Sequence, residues 1–301
     1  MTLADHLLRI GMQAAGLPSL EGARAVGRAL GRLAWRLDRR HREIVRRNLA
    51  ASFPEKEPSW VEATARACYQ HLGQVAAEIP QLWRYGPREI RARTRWATPE
   101  VAAELRRDLA RGRGVFILTG HIGNWEWLNV VFCLEIEPAL VVVRPLDWPP
   151  ADRLVNQWRA KTGAVMVPKA GSMRRLLAHA RAGGVSGILL DQNVDWYDGV
   201  WVDFFGRPAC TNKGLALLAR KTGAAVYPAW CWRADDGMLE VHLAPEVPTR
   251  RSRDKTQDIW ENTQRYTRAL EDIIRRRPEQ WFWVHQRWKT RPWQSWPRRR
   301  H

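Results

Sequence analysis

The chain has 301 residues and a formal net charge of +18 at pH 7, from 49 Lys or Arg against 31 Asp or Glu. No composition shift marks a linker, so we expect a single domain, and the charge predicts anionic partners: phospholipid, phosphorylated glycolipid, an acidic carrier protein or nucleic acid. No stretch reaches the ~18 uninterrupted apolar residues of a membrane-spanning helix. The four cysteines are scattered, which excludes a paired metal-binding or redox motif. We expect a reducing cytoplasmic setting.

Residues 1–50 predict helices that associate with a membrane surface. The first 20 residues carry an apolar stripe at helical spacing that ends near Pro18. In the next segment valine and leucine positions run beside a basic stripe of Arg24, Arg28, Arg32 and Arg36. A basic amphipathic helix suits an anionic membrane, and 18 tryptophans favour a lipid interface. We therefore separate residues 1–50 from a catalytic region over 51–301.

The rest of the chain alternates between helical and apolar extended patterns. A helical pattern covers 59–85, and Thr98-Pro99 opens another helix. Apolar runs typical of strands lie at 114–119, 139–143, 164–167, 187–190 and 224–230. Helical stretches lie near 151–162, 172–182 and 211–222, followed by an edge strand over 238–243 and a helix over 254–277. This rhythm predicts an α/β fold with a central, mostly parallel sheet covered by helices.

The most informative motif follows the first of these strands. His121 and Glu126 lie five residues apart, and at ~100° per residue they cannot share one face of a regular helix. If His121 lies in the turn and Glu126 in the first helical turn, the carboxylate reaches one ring nitrogen and leaves the other free as a base. Gly120 and Gly123 permit close approach of backbone to a substrate, and Asn124 caps the helix. A zinc site fits poorly, because no histidine pair at i and i+4 surrounds Glu126.

Two further strand candidates are followed by polar residues. Arg144 follows 139–143, and Asp191 and Gln192 follow 187–190. In α/β sheets the functional residues gather beyond the carboxyl ends of strands, so we expect His121, Arg144 and Asp191 to be grouped. Arg144 suits a phosphate or a carbonyl oxygen, while Asp191 and Gln192 suit polar headgroup atoms or the structure of the loop itself.

Taken together, these residues make the chain similar to the bacterial lipid A biosynthesis acyltransferases, within the lysophospholipid acyltransferase-like superfamily. The matching blocks are Arg47-Asn48-Leu49, Phe53-Pro54, Thr119-Gly120-His121-Ile122-Gly123-Asn124-Trp125-Glu126, Arg144-Pro145-Leu146, Asp191-Gln192, Phe204-Phe205-Gly206-Arg207-Pro208-Ala209, Leu218-Ala219-Arg220, Thr222-Gly223-Ala224 and Trp283-Val284-His285-Gln286-Arg287-Trp288-Lys289. Members of that family often begin with a hydrophobic spanning segment. This chain has none, so attachment would depend on its basic N-terminal helices.

The resemblance implies a glycerol-3-phosphate acyltransferase-like fold and transfer of a fatty acyl chain to a hydroxyl of a lipid A precursor. His121 would be the general base and Glu126 the acid that orients it, with backbone amides near Gly123 or Arg144 as donors to the oxyanion. The positions implied around the substrate are Gly123, Asn124, Arg144, Asp191, Gln192 and Phe205. No metal or cofactor is expected, because acyl carrier protein or coenzyme A brings the acyl group as a thioester.

The expected partners are an acyl carrier protein, an anionic glycolipid and the anionic cytoplasmic face of the inner membrane, with no nucleic acid. Two alternatives stay open. One is an acyltransferase that acts on another glycolipid, of the phosphatidylinositol mannoside type, with acyl-coenzyme A. The other is a basic, Trp-rich protein that binds membrane or nucleic acid without turnover, because base stacking on aromatic side chains favours a similar composition.

Overall fold

The computed structural model describes residues 2–143, 147–169 and 171–291. Its helices are α1 (Leu3–Ala15), α2 (Leu20–Leu37), α3 (Arg39–Ser52), α4 (Pro58–Arg84), α5 (Pro87–Arg91), α6 (Pro99–Ala110), α7 (Trp125–Glu135), α8 (Pro149–Lys161), α9 (Ser172–Arg181), α10 (Gly214–Thr222) and α11 (Lys255–Arg276). Its strands are β1 (Thr94–Trp96), β2 (Val115–Thr119), β3 (Leu140–Val143), β4 (Val165–Pro168), β5 (Val185–Leu189), β6 (Gly199–Phe204), β7 (Arg207–Asn212), β8 (Ala225–Arg233) and β9 (Leu239–Leu243).

The central sheet, within these ranges, has seven strands in the order β1-β9-β8-β2-β5-β3-β4. Neighbouring strands run parallel, except that β8 and β9 are antiparallel. Parallel neighbours require crossover connections, which the intervening helices supply. The predicted α/β architecture with a mostly parallel sheet is confirmed.

Strand β2 lies in the middle of this sheet and is buried along its whole length. Phe116 and Leu118 belong to one hydrophobic cluster, whereas Val115 and Ile117 belong to another. Successive side chains of a strand point to opposite faces, so the two clusters cover the two faces of the sheet. The strand that leads to His121 is therefore anchored from both sides.

Three features of the strands differ from the prediction. An edge strand is expected over 238–243, but β9 pairs with β8 on one side and with β1 on the other, so the edge assignment is wrong. Strand β1 has only three residues, too few to give a periodic pattern. The antiparallel hairpin of β6 and β7 is also absent from the prediction, which instead began a helix at 211.

Helix α2 packs closely on α4 through glycines. A Cβ atom at Gly31 would lie 2.3 Å from the Tyr69 carbonyl oxygen, and one at Gly73 would lie 2.1 Å from the Gly27 carbonyl oxygen. Between the two helices lies an apolar groove of about 630 Å³, lined in part by Val26 and Leu30. Across the described ranges, we find no helix with both the length and the apolar character that crossing a membrane requires.

Candidate active site

The site is built where two parallel strands end side by side. Thr119 of β2 is in register with Leu189 of β5, and the next amide, that of Leu190, donates to the Thr119 carbonyl oxygen over 2.9 Å. The residues that follow each strand therefore emerge next to each other. In this way His121 meets Asp191, which lies 70 positions further along the chain.

His121 and Asp191 form a hydrogen-bonded pair. The ring Nδ1 of His121 lies 3.0 Å from Asp191 Oδ1, and the backbone N–H of His121 donates to Oδ2 over 2.8 Å. The indole N–H of Trp281 also donates to Oδ2, over 2.8 Å. The Asp191 side chain is 2% exposed, whereas that of His121 is 20% exposed. The carboxylate is thus buried behind the ring, and the ring retains access to the surface.

The electrostatics of this pair favour an ionised carboxylate beside a basic imidazole. Burial alone would raise the pKa of Asp191, but His121 and the hydrogen bonds from His121 and Trp281 outweigh it and lower the pKa to about 2. Burial alone would lower the pKa of His121, but the charge and hydrogen bond of Asp191 outweigh it and raise that pKa above its ordinary value. A neutral ring then carries its proton on Nδ1 and offers Nε2 as a proton acceptor.

Glu126 lies in the helical turn that the sequence predicts, but its carboxylate has a different partner from the one expected. It lies in the first turn of α7, where its carboxylate forms a two-contact ion pair with Arg159 of α8. The hydrogen bond to Nδ1 of His121 that we expected from Glu126 comes from Asp191 instead. Glu126 still acts on the ring through space, because its negative charge contributes to the raised pKa of His121.

The accessible side of the His121 ring faces Gln192 and two aromatic side chains. The amide nitrogen of Gln192 lies 3.5 Å from His121 Nε2. The rings of Trp125 and Phe282 lie 5.0 and 5.6 Å from the imidazole, centroid to centroid. The His121 ring therefore has two aromatic side chains and one amide group beside it.

The two glycines of the loop are required by the protein's own packing. A Cβ atom at Gly120 would lie 2.8 Å from the carboxyl carbon of Asp191. Gly123 has φ +58°, and a Cβ atom there would lie 1.9 Å from the Cys231 carbonyl oxygen. The Gly123 N–H donates to the Gln280 carbonyl oxygen over 2.7 Å. The Gly123 N–H is therefore already used within the protein, and an oxyanion donor among the backbone amides near Gly123 stays a prediction.

Asn124 and Phe205 support the site from within the protein. Asn124 caps α7, as predicted, by accepting from the Trp127 N–H over 2.8 Å, and it is fully buried. Phe205 is 4% exposed, with its ring stacked on that of Trp281 at 6.4 Å. Its φ of +56° is unusual for a residue other than glycine, and its N–H donates to Glu271 Oε2 over 2.6 Å. Phe205 thus supports the Trp281 side chain that holds Asp191.

Of the remaining predicted positions, Arg144 lies outside the described residues. Arg159 and Trp281 were not predicted, although both contact acids of the site. The sequence indicated that Asp191 belongs to the site, because it follows a predicted strand as His121 does. It gave no such indication for Trp281. Across the described ranges, no group of three or more His, Cys, Asp or Glu side chains is arranged to hold a metal ion.

Comparison with known proteins gives a consistent set of relatives. The sequence model of a family described as bacterial lipid A biosynthesis acyltransferase matches residues 6–290. The chain is 29% identical over 271 residues to the lipid A biosynthesis lauroyltransferase of Escherichia coli K12. The aligned region covers 89% of this chain and 85% of the relative. It is 24% identical over 269 residues to the palmitoleoyltransferase of the same strain, with the same coverage of 89% and 85%. A phosphatidylinositol mannoside acyltransferase of Mycolicibacterium smegmatis is 28% identical over 183 residues, 60% of this chain and 58% of the relative.

Proposed function

Because the chain belongs to the bacterial lipid A biosynthesis acyltransferase family and is therefore an acyltransferase, we propose that it transfers a fatty acyl group from a thioester to a hydroxyl of a lipid A precursor at the site around His121. The observation that carries this proposal is the hydrogen bond between His121 Nδ1 and the buried Asp191 carboxylate. This contact holds the ring so that Nε2 is available to the acceptor hydroxyl.

The reaction follows from that geometry. His121 Nε2 takes the proton of the acceptor hydroxyl as its oxygen attacks the thioester carbonyl carbon. The resulting imidazolium is stabilised by Asp191, which remains ionised. The tetrahedral intermediate then collapses, the carbon–sulfur bond breaks, and the leaving thiolate takes the proton back from His121. Every atom is accounted for without a covalent acyl-enzyme.

Gln192 is our candidate donor to the negative oxygen of the intermediate. Its amide nitrogen is 3.5 Å from the same Nε2 that accepts the proton. A group within a few ångströms of both the attacking oxygen and the carbonyl can donate to the charge that develops there. Glu126 contributes more indirectly, because its charge makes His121 more basic.

For the donor we propose an acyl carrier protein, since such carriers are acidic and the chain has a formal net charge of +18. The similarity to a phosphatidylinositol mannoside acyltransferase supports a second candidate reaction with a different glycolipid acceptor. For that reaction we propose acyl-coenzyme A as the donor. A basic protein that binds membrane or nucleic acid without turnover is disfavoured, because surface binding does not require a buried His–Asp pair.

We propose that α1 and α2 hold the protein on the cytoplasmic face of the inner membrane. Apolar side chains stand exposed on these helices and their connection: Leu7, Ile10, Leu17, Val26, Leu30, Leu33 and Leu37. Arg32 and Arg36 are exposed on α2 and have no described ion-pair partner. Arg24 is an exception to the predicted basic stripe, because it is buried against Glu78. Exposed leucines beside unpaired arginines suit an anionic lipid surface.

Acyl transfer by the purified protein tests the proposal. Wild type is incubated with a tetraacylated lipid A precursor and either acyl carrier protein thioester or acyl-coenzyme A, and the lipid product is measured by mass spectrometry. We expect product from wild type and a ~10²- to 10⁴-fold slower reaction from His121→Ala, with an unchanged melting temperature. Equal turnover in folded His121→Ala would exclude His121 as the base. Product only with a phosphatidylinositol mannoside acceptor would favour the second candidate reaction.

A further inference from the structure

A buried ionic cluster lies directly behind the loop that carries His121. Its centre is Glu78 of α4, which is fully buried. The Glu78 carboxylate accepts from Arg24 Nε over 2.5 Å, from Arg233 Nη2 over 2.6 Å and from Asn124 Nδ2 over 2.7 Å. Burial alone would raise the pKa of Glu78, but the two arginines outweigh it and hold that pKa below its ordinary value. A buried carboxylate with this many donors is ionised and fixed in one orientation.

His71, two turns earlier on α4, is the second member of the cluster. Arg233 Nη1 lies 3.0 Å from His71 Nδ1, and His71 Nε2 lies 3.1 Å from the Gly123 carbonyl oxygen. A guanidinium can only donate, so Nδ1 accepts and Nε2 carries the proton that is donated to Gly123. Burial, together with the Arg233 charge, lowers the pKa of His71 to about 3. The ring is therefore neutral at working pH, with its tautomer set by Arg233.

The active-site loop comprises residues 120–124, between β2 and α7. The cluster makes hydrogen bonds to two consecutive residues of this loop. His71 binds the Gly123 carbonyl oxygen, and Glu78 binds the Asn124 side chain. These residues follow His121 by two and three positions. His121 itself is held by Asp191. The position of the His121 ring thus depends on two sets of contacts: its own hydrogen bonds to Asp191, and the hydrogen bonds that attach Gly123 and Asn124 to α4.

We infer that His71, supported by Glu78 and Arg233, is a positioning residue that fixes the active-site loop and thereby the orientation of His121. The inference rests on the proposed function. His71 is 3% exposed, so it acts through the loop and not on the substrate. A displacement of about 1 Å in a catalytic group can cost ~10²-fold in rate, so a loop anchor of this kind affects turnover more than substrate binding.

Two substitutions separate this role from simple core packing. In His71→Gln, the side-chain amide offers both a donor for Gly123 and an acceptor for Arg233. In His71→Leu, a side chain of similar bulk offers neither. Val61→Ala, at a buried position of α4 ten residues before His71 and therefore about 15 Å along the helix from it, provides a control that loses stability at a distance from the loop. Melting temperatures of all variants are measured first, so that kinetic changes are compared at matched folded fractions.

The kinetic expectation is a loss in kcat with little change in KM. We expect His71→Leu to lower kcat by ~10- to 100-fold with KM within about 3-fold, and His71→Gln to recover kcat to within about 5-fold of wild type. Val61→Ala should keep the kcat of wild type. An equal loss of kcat in Val61→Ala and His71→Leu would overturn the inference, because it would indicate a general effect of stability.

A titration without substrate keeps the inference testable if acyl transfer itself is not found. The pH titration of the His121 ring is followed by NMR in isotopically labelled protein, with His121→Ala used to identify its signals. We expect wild type and His71→Gln to titrate above the ordinary histidine value. His71→Leu should titrate closer to that value, because a displaced loop weakens the contact with Asp191. A wild-type titration in His71→Leu would overturn the inference.

Discussion

In the proposed role of general base, His121 has to be basic enough to take a proton and correctly oriented to receive it. Asp191 serves both needs, since it hydrogen bonds Nδ1 and the backbone N–H of the same residue. The Trp281 indole in turn fixes the Asp191 carboxylate. The basicity of His121 thus depends on a group that is fully enclosed by protein, which protects it from solvent screening.

The pH dependence of kcat/KM follows from the raised pKa of His121. Protonation of the base removes activity, so kcat/KM should fall as pH drops through a midpoint that lies above the ordinary histidine value of about 6.5. Loss of a nearby negative charge lowers this pKa, and Asp191 contributes more to it than Glu126 does. We expect Asp191→Asn to move the midpoint to lower pH by more than Glu126→Gln does. A wild-type midpoint below 6.5, or equal shifts in the two variants, would contradict this assignment.

The hydrogen-bond partner of His121 is a residue-level feature that the sequence did not predict correctly. Glu126 is close to His121 in sequence, and that proximity suggested the wrong hydrogen bond. The true partner comes from a neighbouring parallel strand, so its position depends on the register between β2 and β5. Periodicity within one segment reveals a strand but carries no information on register across a 70-residue separation.

At the level of elements, the predicted strands with strong apolar runs are all present. The runs at 114–119, 139–143, 164–167, 187–190 and 224–230 overlap β2, β3, β4, β5 and β8. Strand β2 is buried along its whole length and β8 along all but its last residue, and strands covered on both faces need continuous apolar sequences. The hairpin of β6 and β7 packs beside α11 instead, and its sequences, GVWVDF and RPACTN, have neither a long apolar run nor a regular alternation of apolar and polar residues.

The exposed apolar side chains of α2 allow a test of membrane binding. Leu30 and Leu33 are 57% and 49% exposed, and Leu30 also lines the groove between α2 and α4. We expect the double variant Leu30→Asp, Leu33→Asp to bind anionic phospholipid vesicles at least ~10-fold more weakly in co-sedimentation, because it loses apolar contact and gains negative charge. Met173→Asp, at a residue 42% exposed on α9, is the matched control and should bind as wild type. Equal weakening in both variants would argue against α2 as the membrane contact.

For the whole molecule, the excess of positive charge has a kinetic consequence. Many arginines are paired within the fold, but the exposed Arg32 and Arg36 have no described ion-pair partner and contribute to the long-range positive field. Such a field speeds the encounter with an acidic carrier and is screened by salt. The charge was evident from composition, whereas the division between paired and unpaired arginines required the structure.

Ionic strength should therefore change the rate at which the carrier protein and the enzyme meet, and not the rate of acyl transfer after binding. We expect kcat/KM for an acyl carrier protein thioester to fall at least ~5-fold between about 0.05 and 0.3 M salt, while kcat stays constant. An uncharged acyl thioester of N-acetylcysteamine should show little salt dependence and serves as the control donor. A kcat/KM for the carrier thioester that is independent of salt would show that charge steering has no role.

The most direct test of the central claim compares two carboxylate variants in one acyl-transfer assay. If Asp191 orients His121, Asp191→Asn should lower kcat by ~10²- to 10⁴-fold, because the amide no longer holds the ring in the correct tautomer. Glu126→Gln should lower kcat less, since Glu126 acts on His121 through charge alone. Near wild-type turnover in Asp191→Asn, with the larger loss in Glu126→Gln, would contradict the account.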